Sequence, residues 1–499
     1  MDILSNLGTG FAVAFTATNL FACFVGALLG TLIGVLPGIG PVATIAMLLP
    51  ITFGMDPTTA LIMLAGIYYG AQYGGSTTAI LINLPGESSS VITALDGYQM
   101  ARQGRAGVAL GIAALGSFFA GCVATLVIAM IGPMLASVAT SFASPEYFCL
   151  MLLGLIAAVS IGSGSLSKSV AMILLGMLLG LVGTDVYSGY ARLDFGVREL
   201  SDGIDFVPLA LGLFGISEIM INLRNPESRA FLATKVGRLL PNREEIGAAG
   251  MPIVRGTLLG SVLGVLPGGG ALLASFTSYM IEKRVSHAPE RFGKGAIEGV
   301  AGPEAANNAG AQTSFIPLLT LGIPANAVMA LMMGAMILHG IQPGPNVLSE
   351  KPELFWGMTA SMWIGNLMLV IINLPLIGLW VRLLSVPYSL LYPAIIVFAC
   401  IGVFSVNYQV FDLLMIALFG LLGYAFVLLR CPPAPLVLGF VLGPMMEENL
   451  RRTMLIAQGD PIIFLQRPIC AALLAIAVLL IVLAALPSIS RQREKLEEG

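Results

Sequence analysis

Two stretches of main chain carry the chemistry that this sequence can offer, and neither contains a base. GTLIGVLPGIG at 30–40 and GSVLGVLPGGG at 260–270 agree at seven of eleven positions. Each writes Pro and Gly into a long apolar run, where both residues interrupt a helix. A helix that stops and restarts exposes unpaired carbonyls at its old end and unpaired N–H groups at its new start. The N–H groups, at the positive end of a helix dipole, suit an anion. Freed carbonyls suit a small cation. Gly38, Gly40, Gly268, Gly269 and Gly270, beside Pro37 and Pro267, let a ligand approach the backbone closely.

Each first break has a second. GGSTTAILINLPGESSS at 74–90 has Pro85, 48 residues after Pro37; GAQTSFIPLLTLGIPAN at 310–326 has Pro324, 57 residues after Pro267. The first supplies Gly75, Pro85 and Gly86 with the hydroxyls of Ser76, Thr77, Thr78 and Ser88. The second supplies Thr313, Ser314 and Asn326 as rough counterparts. Lys and Arg are absent from 30–101 and from 295–350, so no basic side chain from these segments can hold an anion. Asn83, Glu304, Asn307 and Asn308, with freed carbonyls, are the candidates for a coupling cation, Na+ or H+. Glu298 and Glu304 read as ionisable groups at membrane depth, where charge costs roughly 2.5–3.5 kcal/mol on insertion scales. Glu87 and Asp96 read as caps or cytoplasm-facing groups.

The elements that position these residues belong to a membrane. Of 499 residues, 57% are hydrophobic and 10% charged, with mean hydropathy +0.92; soluble domains carry about 25% charge. Apolar segments at 107–131, 169–183, 357–381, 411–429 and 469–488 approach or exceed the roughly 20 residues of a spanning helix. The expected fold is an all-α polytopic membrane protein with about 10–12 crossings or partial crossings. The alternation of a membrane β-barrel is absent. The N-terminus has no Lys or Arg and so lacks the basic region of a cleavable signal peptide. Six scattered Cys without a CxxC pair and two distant His give neither a disulfide frame nor a metal site beyond a bound Na+.

Basic loops set sidedness. Arg102 and Arg105, the linker 223–255, the cluster Lys283, Arg284, Arg291 and Lys294, and the tail 489–499 are expected in the cytoplasm, with both termini. Residues 256–282, between two such clusters, must enter and leave on one side as a re-entrant hairpin. Non-helical backbone at depth needs protein or a wet cavity around it. After the first break, repeat one (30–105) reaches FGMDPTT without a base, whereas repeat two (256–350) reaches the basic cluster. After the second break this is reversed. Corresponding loops therefore fall on opposite sides, which defines an inverted repeat; such paired interruptions point to a transporter's binding site. The domains expected are a first half (1–222), the basic linker (223–255) and a second half (256–488).

GTLIGVLPGIGP, YYGAQYGGSTTAILINLPGE, ALDGYQMARQGRAG, GSVLGVLPGGG and GPEAANNAGAQTSFIPLLTLGIP together resemble the large membrane subunit of tripartite tricarboxylate transporters, the TctA-type permease, over roughly 15–450. The resemblance implies a prokaryotic inner-membrane importer of carboxylates without an organic cofactor. Its implied partners are a small four-helix membrane subunit and an extracytoplasmic solute-binding protein. Nucleic acid is not among them. It also implies an ion gradient as the driving force. Moving one negative charge against a negative-inside potential costs about 2.3 kcal/mol per 100 mV, so a dianion needs at least three cations if the potential is to help.

Other classes fit less well. GSGSLSKS at 162–169 departs from a Walker A loop at Ser167 and has no soluble α/β domain around it. GIGPVA at 38–43 lies between apolar segments and is no dinucleotide fingerprint. No Ser–His pair or paired Asp at depth supports an intramembrane protease, so no enzyme is expected. An anion-selective channel, or a carrier of another solute using the same breaks, is the nearer rival.

Overall fold

The computed structural model describes residues 3–36, 40–83, 86–139, 141–161, 165–185, 187–224, 236–266, 270–383 and 388–485. Of the described residues, 81% are helical. Helix α1 (Ile3–Ala14) leads into α2 (Ala17–Gly34). Beyond the first break come α3 (Pro41–Leu48) and α4 (Pro57–Ile82). Beyond the second come α5 (Val91–Met100) and, through a π-helical turn kinked at Gly104, α6 (Ala106–Ala139). Helices α7 (Ser144–Ile161) and α8 (Leu166–Gly180) precede the short antiparallel pair β1 (Gly183–Thr184) and β2 (Ala191–Arg192). Helix α9 (Phe206–Ala210) runs through a π-helical stretch into α10 (Ser217–Arg224).

The second half repeats this order. Helices α11 (Arg243–Leu263) and α12 (Gly270–Val285) flank a first break. Then follow α13 (Glu298–Thr313), α14 (Phe315–Leu321), a second break and α15 (Ala327–Leu338). The short α16 (Asn346–Glu350) leads to α17 (Pro352–Asn373). The remainder is α18 (Ile377–Leu383), α19 (Tyr388–Asn407), α20 (Val410–Leu428), α21 (Pro433–Ile456), α22 (Ile463–Gln466) and α23 (Pro468–Ala485). Among the described residues, six helical stretches are long and apolar enough to cross a bilayer, and shorter apolar helices of 10–17 residues accompany them.

Packing follows the internal repeat. Helix α2 lies on α4 as α11 lies on α13, and α6 packs on α11 and α13 as α17 packs on α2 and α4. The return arm of each hairpin meets the other repeat: α3 touches α15, and α12 touches α5 and the turn Ser88–Ser90. The two halves are thus interleaved rather than side by side. Small residues make the close approach possible. A methyl on Gly26, Gly30 or Gly34 would meet Met63, Ile67 or Ala71 backbone. Gly256, Gly260 and Gly264, each 230 residues later, face Gly302, Ala306 and Gly310 in the same way.

The structure corrects several boundaries. Residues 243–255, read from charge as linker, are the first half of α11, capped by an Asn242–Glu245 capping box. The hairpin is therefore α11 and α12, longer than 256–282. Its arms are clamped where Arg255 donates two hydrogen bonds to the buried Glu282, at 2.8 and 2.5 Å. The helical part of 74–90 extends to Ile82, so Gly75, Ser76, Thr77 and Thr78 lie within a helix and the interruption begins at Asn83. Helix α21 runs without interruption from Pro433 to Ile456.

Loop contacts sort into two ends. At one, Gln103 donates to Lys294 O at 2.8 Å, Arg105 pairs with Glu245, and Lys168 donates to Leu429 O. At the other, Arg467 pairs with Glu146 at 2.6 Å, Asn407 donates to Asp205, and Arg192 and Arg451 join Asp185 to Glu447. Helix α6, with 34 residues and so about 51 Å long, runs from the first end to the second.

Candidate functional site

Stretches 37–39, 84–85 and 267–269 lie outside the described residues, and with them Pro37, Gly38, Pro85, Pro267, Gly268 and Gly269. Their flanks can be placed. In repeat one the two breaks touch: a methyl on Gly86 would meet Gly75 Cα at 2.4 Å and Gly34 O at 3.0 Å, and one on Gly40 would meet Gly86 O at 3.2 Å. Three residues on, Ser89 O accepts from Ser275 Oγ of α12 at 3.0 Å. Gly270 opens that same helix. The second break of repeat one therefore bridges the first break of its own repeat to the hairpin of the other.

The helix starts at these breaks are not equivalent. Asn83 and Gly322 both end a helix in the left-handed conformation, at φ 57° and 70°. Two prolines, one in each repeat, stand two residues beyond them. Glu87 then caps the turn at Ser88–Ser90 through a capping box, and Asn326 caps α15 by accepting from Met329 N at 2.9 Å. At each of these starts a side chain within the turn satisfies one N–H, Glu87 N in the first and Met329 N in the second. Helix α3, beginning after Gly40, has no side-chain cap. A helix start without a side-chain cap leaves its first N–H groups without an intrahelical partner.

Several candidate hydroxyls spend their protons locally. Thr77 donates to Tyr73 O, Thr78 to Gly75 O, Thr313 to Ala309 O and Ser314 to Ala311 O. Such back-bonding leaves their lone pairs, and not their protons, for a guest. The side chain of Ser88 lies outside the described set. Asn83 is exposed at its turn.

Three of the four cation candidates, Glu304, Asn307 and Asn308, lie buried on one helix, α13. Glu304 of α13, 1% exposed, accepts from Ser76 Oγ at 2.8 Å and Thr93 Oγ1 at 2.5 Å. Asn308 donates to Ser117 of α6 at 2.7 Å, and Asn307 donates to Glu87 at 2.9 Å. One helix of repeat two thus addresses both sides of the second break of repeat one. A stripe Glu304–Asn308–Gln312 faces Ser117 and Thr125, the latter donating to Gln312 Oε1 at 2.8 Å. Sequence reasoning missed Thr93 and Ser117, because each lies in an otherwise apolar or mixed helix with no local signal. It also placed Glu298 at depth. The structure pairs Glu298 with Arg291 at 2.5 Å near the surface, a position the adjacent cluster of bases could have suggested. Asp96 accepts from Gly295 N and Ala296 N at 2.7 and 2.8 Å and from Tyr279. It closes the loop before α13 with these three protein donors.

At the far end, Asp185 is held well below the ordinary carboxylate range by the Ser188 hydroxyl, with Tyr187 N–H and the guanidinium groups of Arg192 and Arg451. It staples the β1–β2 loop to α21.

Residues 20–438 match the family model described as the tripartite tricarboxylate transporter TctA family. The chain is 61% identical over 495 residues, 99% of both chains, to an Agrobacterium vitis protein named as an uncharacterised 52.8 kDa protein in the TAR-I ttuC' 3' region. It is also 61% identical over 236 residues to a protein named for the TAR-II ttuC' 3' region of the same organism; the match spans 47% of this chain and 98% of that one. No solved structure matches. The interleaved broken-helix repeats thus belong to a multi-pass membrane protein, and the chain is a member of the tripartite tricarboxylate transporter TctA family.

Proposed function

We propose that this chain is the large permease subunit of a secondary-active, ion-coupled carboxylate importer in a prokaryotic inner membrane. It works with a small four-helix membrane subunit and an extracytoplasmic solute-binding protein, both partners implied by its family. The basic end of the bundle, which includes Arg102, Arg105 and Lys294, faces the cytoplasm. The carboxylate is met by main-chain N–H groups at the first breaks, around Gly40 and Gly270, and Na+ or H+ by the Glu304 region. The observation that carries this reading is the uncapped start of α3 beside Gly86, in a repeat without Lys or Arg before Arg102. An anion here has backbone dipoles to bind and no side-chain cation. Each helix end contributes about 0.3–2 kcal/mol, so several must act together.

The test is uptake by the chain co-reconstituted in proteoliposomes with the membrane subunit and binding protein of its own system. Accumulation of the binding protein's carboxylate driven by an imposed Na+ or pH gradient is expected. Uptake indifferent to both gradients rejects coupling, and large ohmic anion currents reject a carrier.

A further inference from the structure

Beside Glu304 is a cavity of about 20 Å3, lined by Tyr73, Ser76, Thr77, Ser117, Glu304 and Asn373 together with apolar side chains. That space holds about one water or one bare ion; a carboxylate of several carbons does not fit. Its polar lining is unusual in sign. Glu304 brings its only carboxyl group, and neither Lys, Arg nor His contributes. The hydroxyl protons of Thr77 and Ser76 are directed to Tyr73 O and to Gln72 O or Glu304. Ser117 Oγ accepts from Asn308.

The independent observation is Asn373. Its side chain is 5% exposed. Nδ2 donates to Leu369 O at 2.9 Å, while Oδ1 has no partner among the described residues. A buried acceptor left without a donor is costly and calls for a counterpart. The counterpart that one carboxylate and several neutral oxygens would jointly accept is a hard cation of single charge.

We propose that this cavity binds a dehydrated Na+ ion, held by Glu304 and by oxygens of Asn373, Ser117, Thr77 and Tyr73. The proposal rests on the ion-coupled reading above and assigns its coupling ion to Na+, at a point contributed by three helices of the first half-bundle and its partner: α4, α6 and α13, closed by the end of α17. It moves Asn307 and Asn308 from ligands to positioning residues. Asn308 orients Ser117, and Asn307 holds Glu87. A proton would need Glu304 alone and would leave Asn373 Oδ1 as it is.

The test uses the purified full-length chain in nanodiscs, with its melting temperature followed as NaCl replaces choline chloride at constant ionic strength and pH. A saturable rise with Na+, smaller with K+, is expected. Ser117→Ala and Asn373→Leu should each raise the half-saturating Na+ concentration by about tenfold or more, and Glu304→Gln should remove the response. Ser117→Ala trims a single oxygen and decides the matter if Asn373→Leu does not fold. Variants that respond as the wild type does overturn the assignment. So does a melting temperature that follows pH and not Na+, which makes Glu304 a proton site, or one that follows neither, which leaves the cavity to water. Uptake insensitive to ion gradients would end the transport reading while leaving measured Na+ binding to this chain intact.

Discussion

Gly250 and Gly256 occupy the same helix and answer to opposite demands. A methyl on Gly250 has nothing within 4 Å, whereas one on Gly256 would stand 2.2 Å from Gly302 O. Gly250→Ala is expected to stabilise by roughly 0.5–1 kcal/mol through helix propensity. Gly256→Ala should cost about 1–3 kcal/mol as α11 is pushed off α13. Melting temperatures of the two variants check this, and equal shifts would refute the close-packing argument. The sequence marks both glycines alike; only the partner helix distinguishes them. The same limit applies to Glu298 and Glu304. They are six residues apart on one helix, but Arg291 reaches the first and Ser76 and Thr93 enclose the second. The residues of the breaks were legible because Pro and Gly act on their own backbone. The residues that surround Glu304 come from other helices and leave no local trace.

At the scale of elements, the α11–α12 hairpin depends on one clamp. Glu282 is 2% exposed and its bidentate partner is Arg255. Removing the cation alone strands a buried carboxylate, so Arg255→Ala should cost about 3–5 kcal/mol. The double variant Arg255→Met with Glu282→Leu should recover most of that. Chemical unfolding of the three variants would decide; a double variant no better than Arg255→Ala contradicts the reasoning. That α11 and α12 fold back on one another was readable from the basic clusters on both flanks. The start of α11 was not, because Arg243, Glu244 and Glu245 look like linker until the capping box and the contact of Glu245 with Arg105 and Arg238 are seen. The β1–β2 loop behaves differently with pH. Asp185 has a lowered folded value. Its contribution is therefore complete above the unfolded value near pH 3.9 and fades only as pH falls through the folded one. Hydrogen exchange of 183–202, corrected for intrinsic rates, should be flat between about pH 5 and 8 and accelerate at all pH in Asp185→Asn. A loop that loosens within that window would contradict this pairing.

For the whole molecule, the inverted repeat makes a claim about sides that no single helix makes. Each first-break hairpin must leave the membrane on the side it entered, and the two hairpins must open to opposite faces. Gln103, beyond the second break of repeat one, meets Lys294, beyond the hairpin of repeat two, at one end of the bundle, while Arg467 meets Glu146 at the other. Sequence charge alone marks the first end as the more basic one, because its bases outnumber the acids that pair with them, Glu245 with Arg105 and Arg238 and Glu298 with Arg291. It could not assign the other, where Arg192, Arg451 and Arg467 are present but neutralised by Asp185, Glu447 and Glu146. Positive residues paired with acids weaken the sidedness signal, and only the pairing reveals them as latches. The consequence is measurable. In a background lacking the six native cysteines, single cysteines at the exposed positions Arg102 and Glu244 should react with a membrane-impermeant maleimide only in inside-out vesicles. Cysteines at the exposed Tyr190 and Gln458 should react only in right-side-out ones. Tyr190 and Gln458 labelling from different faces would break the far-end cluster. Arg102 labelling with them would place both second-break loops on one face and remove the inversion on which the shared site depends.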